Sequence, residues 1–129
     1  MVFEFRKEKR YLVKDEAFAA SDDPVREVGQ ILDISMGGLA FCYLEDGERS
    51  EEIFDLNIFL TEHRFFLGKL RVKIISDFEM QNEDPYSLIR MRRRGVQFRN
   101  LTSEQKSDLR SFIQANTSGK SAALPKDLR

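Results

Sequence analysis

Two short groups of residues in this chain have the types and spacing to recognise an anion that carries a purine base. The first is Arg6-Lys7-Glu8-Lys9-Arg10 and the second is Asp33-Ile34-Ser35-Met36-Gly37-Gly38. Positions i and i+4 share one side of a strand and one face of a helix, so Arg6 and Arg10 can converge on one ligand in either local structure. A guanidinium fork makes two parallel hydrogen bonds, which suits phosphate oxygens and the O6/N7 edge of guanine. An aspartate at a strand end can accept from the N1–H and N2–H₂ of guanine, a pairing that adenine does not offer. Ser35 sets a short hydroxyl beside Asp33, and Gly37 and Gly38 let the backbone turn sharply and approach a bound group. Together these residues describe a site for a guanine-bearing phosphate. Each group alone is weak, since Asp and Ser commonly hydrogen-bond their own backbone in turns. The ordered pair is far more specific.

Such residues need a framework, and most of the chain alternates with period two. Leu70-Arg71-Val72-Lys73-Ile74 sends apolar side chains to one face and charges to the other. Phe54, Leu56, Ile58 and Leu60 repeat that spacing, and Leu39, Phe41 and Tyr43 do so over a shorter run. Val28 to Ile34 reads as a further strand. Tyr86 to Phe98 reads as a long final strand whose apolar phase shifts across Arg92–Gly95, which a bulge at Gly95 would explain. Five or six strands at short intervals without helices between them predict an antiparallel sheet or barrel. After Asn100, Thr102-Ser103-Glu104-Gln105 fits a capping box, and Leu109, Phe112 and Ile113 form the apolar stripe of a helix over about 103–115. The small, polar remainder, residues 116–129, is expected to be a flexible tail.

The 129 residues suit one domain, and 41% hydrophobic against 33% charged residues describes an ordinary globular chain. A net charge of −1 argues against tight binding to a nucleic acid polymer, which requires many neutralised phosphates. The basic run Arg90-Met91-Arg92-Arg93-Arg94 would divide its arginines between two faces of a strand, with no aromatic platform interleaved. It reads as a solvated edge or as a partner for the acidic stretch 45–55. No apolar run is long enough for membrane insertion or resembles a leader, so the expected location is cytoplasmic. One histidine, His63 in a polar turn, and one cysteine, Cys42 expected as a buried apolar group, leave no zinc set and no catalytic pair. No phosphate-binding glycine motif of the nucleotide hydrolases occurs. These residues predict neither an enzyme nor a resident cofactor.

The order R-x-x-x-R, then (D/N)-x-S-x-x-G, then Gly95-Val96-Gln97-Phe98 before a short helix resembles the PilZ domain family. The resemblance covers roughly residues 5–115, so residues 1–115 are taken as a single domain. It comprises an N-terminal arm over 1–14, a barrel over about 15–100 and a helix over about 103–115. The resemblance implies an all-β fold, a six-stranded antiparallel β-barrel with a C-terminal α-helix. It also implies binding of the second messenger cyclic di-GMP, with the arm wrapping over the ligand. Arg6 and Arg10 would then contact phosphates and guanine, Asp33 and Ser35 would hydrogen-bond one guanine, and Gly38 would keep the turn open. A receptor of this kind would signal to a separate downstream protein. The alternative from another class is a constitutive protein–protein interaction module on the same barrel that does not bind nucleotide.

Overall fold

A computed structural model describes residues 9–13, 17–21, 28–45, 51–61, 65–81, 84 and 86–121. The elements are β1 (Tyr11–Val13), β2 (Ala17–Ser21), β3 (Val28–Ile34), β4 (Gly38–Leu44), β5 (Ile53–Leu60), β6 (Phe65–Glu79), β7 (Met91–Phe98), α1 (Ser103–Asn116) and β8 (Thr117–Ser121). Strands β2, β5, β6, β7, β4 and β3 follow one another around a sheet, and β3 pairs back to β2, which closes a six-stranded antiparallel barrel. The expected fold is therefore observed. Closure leaves the six barrel strands without the open edges that invite pairing with other chains.

Period-two alternation fills the barrel. Leu39, Phe41 and Tyr43 point inward from β4, Leu56 and Ile58 from β5, Leu70 and Val72 from β6, and Val96 from β7. Burying an aliphatic or aromatic side chain of this size contributes about 1.5–3 kcal/mol. The helix covers this core. Thr102 accepts from the Gln105 backbone N–H at 3.0 Å while the Gln105 side chain accepts from the Thr102 N–H at 3.0 Å, the reciprocal box that the sequence predicts. Leu109, Phe112 and Ile113 are buried, and the Phe112 ring lies 5.2 Å from that of Phe65 on β6.

β3 departs from simple alternation at the point that matters. Ile31 pairs with Phe41 and Asp33 with Ala40, so the register shifts across Leu32. Strict alternation would put Asp33 on the same face as Ile31, in the core. The extra residue at Leu32 changes the phase, so Ile31 and Ile34 both face inward and Asp33 faces outward. One edge of β3 is also shared: residues 28–30 pair with β2, while Asp33 and Ile34 pair with Leu12 and Tyr11 of β1.

Three local expectations are corrected. The ladder of the last barrel strand begins at Met91 rather than Tyr86. Before it, Asp84 accepts from the Tyr86 N–H at 2.9 Å and Ser87 Oγ from the Ile89 N–H at 3.1 Å, so short polar side chains take backbone donors that a ladder would need. The irregularity opposite Gly95 lies in β6, where Ile75 is the extra residue. A side chain at Gly95 would meet Ser76 Oγ at 2.5 Å. Finally, residues 117–121, expected within a tail, form β8 and pair with β1. The Thr117 hydroxyl donates to the Ile113 carbonyl at 2.7 Å and closes the helix before the chain turns extended. Among the described residues, no helix is long and apolar enough to cross a membrane.

Candidate functional site

The outward turn of Asp33 sets it among arginines from two distant parts of the chain. Arg10 lies two residues before Leu12, the register partner of Asp33, so alternation brings its side chain to the same face. Arg10 Nη1 donates to Asp33 Oδ1 at 2.7 Å across 23 positions of sequence, with both side chains largely buried. Arg10 Nε is buried and has no hydrogen-bond partner among the described residues. The second oxygen of Asp33 accepts from Arg93 Nη2 at 2.8 Å. Arg93 comes from the middle of β7, opposite Cys42 of β4 and Phe78 of β6, and its guanidinium sits 5.9 Å from the Phe78 ring centre. Two guanidinium groups on one carboxylate give this outer cluster an excess of positive charge.

Ser35 and Gly38 build the turn beside it. The Ser35 hydroxyl accepts from the N–H groups of Gly37 and Gly38 at 3.0 and 3.1 Å, and the Ser35 N–H donates to the Gly38 carbonyl at 2.8 Å. Ser35 is only 3% exposed, so its hydroxyl serves the turn that follows Asp33. Gly38 is required by packing: a Cβ there would lie 2.1 Å from the Val96 carbonyl oxygen of β7. The Phe98 N–H donates to the Gly37 carbonyl at 2.9 Å and ties the turn to the same strand. Of the expected site residues, Asp33, Ser35 and Gly38 therefore lie within one turn and its flank, and Arg10 joins them by its bond to Asp33. Arg6 lies outside the described residues.

Arg93 was not among the expected site residues. The alternation of Arg92, Arg93 and Arg94 was a usable signal, because it sets Arg93 apart from its neighbours. The other two face the barrel interior, where Asp77 receives Arg92 Nε at 2.5 Å, Arg94 Nε at 2.7 Å and the Tyr43 hydroxyl at 2.5 Å. Arg94 Nη2 also donates to the Tyr43 oxygen at 2.8 Å, and its guanidinium stacks 4.5 Å from that ring. Burial pushes the Asp77 carboxyl up, but the hydrogen bonds from Tyr43, Arg92 and Arg94 outweigh it and hold its pKa below the usual value. The hydrogen bond to Asp77 raises Arg92 in turn. Arg92 reaches Glu45 at 3.3 Å, which agrees with the expected acidic partner. A solvated edge does not describe Arg94, which is 5% exposed. Cys42 is half-buried rather than buried. No group of carboxylate, histidine and cysteine side chains among the described residues could hold a metal ion.

Comparison with known proteins agrees with this fold. The family model described as "PilZ domain" matches residues 4–115. The PilZ domain of YcgR from Escherichia coli, solved with c-di-GMP, superposes with a TM-score of 0.68 at 17% identity, covering 88% of this chain and 92% of that one. MrkH of K. pneumonia, solved as a c-di-GMP complex, gives 0.68 at 12% identity over 88% of this chain and 52% of its own. The inhibitor of motility of Bacillus subtilis gives 0.58 at 16% identity over 88% and 51%. The chain thus spans about half the length of the latter two. A search of curated protein sequences found no match.

Proposed function

Because the chain belongs to the PilZ domain family, we propose that it is a receptor for cyclic di-GMP that passes its signal to a separate protein and carries out no chemistry itself. One observation carries the reading: the distant Arg10 and Asp33 of the two sequence groups meet at 2.7 Å on the outside of the barrel, in a cluster with surplus positive charge. An anionic phosphodiester suits that surplus. Each carboxylate oxygen can accept a second hydrogen bond, so Asp33 can stay paired with an arginine and still receive the N1–H and N2–H₂ of guanine. Arg10 brings further donors, Nε among them, to a phosphate or to the O6/N7 edge, and Arg6 adds a second fork from the same segment. Ser35 contributes by fixing the turn that presents Asp33. Binding would close the segment carrying both arginines over the ligand and alter the surface a partner meets. A partner responds only if it distinguishes the two states.

Isothermal titration calorimetry with cyclic di-GMP tests this reading, with cyclic di-AMP and GTP as controls. Saturable heat with the guanine dinucleotide alone is expected. Absence of heat at high micromolar concentration would leave a barrel that works as a constitutive interaction module.

A further inference from the structure

We infer that Arg93, outside both sequence groups, is a positioning residue of the nucleotide site that fixes the Asp33 carboxylate for guanine. The inference rests on the receptor reading and deepens it. Asp33 has two anchors of unequal rigidity. Arg10 precedes the three-residue strand β1, on the segment that the proposed closure rearranges. Arg93 lies inside β7, whose backbone is held by β4 on one side and β6 on the other. Its Nη2 grips Asp33 Oδ2 at 2.8 Å, and the Phe78 ring braces the guanidinium from across the β6 ladder. When Arg10 leaves Oδ1 to meet a phosphate, Arg93 still holds Oδ2 and thereby the plane of the carboxylate. That plane decides whether both oxygens can meet the guanine N1–H and N2–H₂ together. Arg92 and Arg94 cannot substitute, since both are committed to Asp77 on the inner face. The Arg93 side chain is a quarter exposed, so a ligand can approach it, whereas that of Arg94 is 6% exposed.

The test compares cyclic di-GMP with its inosine analogue, which lacks the 2-amino group, by calorimetry on the full chain and on Arg93→Gln. The wild-type chain should prefer the guanine ligand. In Arg93→Gln, affinity for cyclic di-GMP should fall by about 10- to 100-fold, and the preference over the inosine analogue should shrink. In an Asp33→Asn background the same substitution should cost less than about threefold, as expected when two residues act as a unit. Arg93→Lys keeps the charge without the fork, should melt like wild type and should still lose preference, which separates positioning from folding. Wild-type affinity and preference in Arg93→Gln would overturn the role of Arg93 alone. So would equal weakening of both ligands with the preference intact. No binding by the wild-type chain would overturn the receptor reading itself.

Discussion

Two arginine–carboxylate clusters share the strand β7, and they are built to opposite specifications. The inner one joins Arg92, Arg94, Asp77, Tyr43 and Glu45, with its two guanidinium and two carboxylate groups in balance. The outer one joins Arg10, Arg93 and Asp33, carries one surplus positive charge, and leaves the buried Arg10 Nε without a partner among the described residues. Strand alternation sends three consecutive arginines to two faces. On the receptor reading, the same residue type is structural on one face and serves the ligand on the other.

The sharpest break between the clusters should come from Asp77→Ala. Removing that carboxylate leaves the buried Arg94 without its ion-pair partner, and stability should fall by about 3–5 kcal/mol, read by urea unfolding. The folded protein that remains should bind nucleotide as before. The same group gives a pH signature. Its folded pKa lies below the usual carboxylate value, so its contribution is complete above that usual value and is lost as pH falls through the lower, folded one. Asp77→Asn should therefore flatten the acid limb of the stability curve. Arg10→Ala should do the reverse of Asp77→Ala. Cyclic di-GMP affinity should fall by about one to two decades, or roughly 1.5–3 kcal/mol, with a far smaller effect on unfolding. A large stability loss in Arg10→Ala would erase the distinction between the clusters. The smallest effect belongs to Glu45→Gln at the rim of the inner cluster, where a partly exposed 3.3 Å contact should be worth less than about 1 kcal/mol.

Much of this arrangement was legible in the sequence, for a physical reason. Alternation and the capping box are local rules, and Leu70–Ile74 and Thr102–Gln105 obey them with few competing demands. The pairing of Arg10 with Asp33 is not local, and only the co-occurrence of two groups pointed to it. What stayed hidden depended on register. The shift at Leu32 turns Asp33 outward, and no residue there announces it, since leucine has no special backbone preference. The place of Arg93 depends on which strand lies beside β7 and at what offset. The strand at 117–121 was hidden for a related reason, because its composition is that of a tail and its order comes from the neighbour it finds in β1.

That neighbour makes β1 a mechanical link. Tyr11 and Val13 carry Ser121 and Thr117 on one side, while Tyr11 and Leu12 are laid along Ile34 and Asp33 on the other. Arg10 is the residue immediately before this short strand. Whatever draws on Arg10 therefore acts next to the short strand that joins β3 to β8. Unzipping three residues from the barrel would release a segment more than a hundred positions away in sequence.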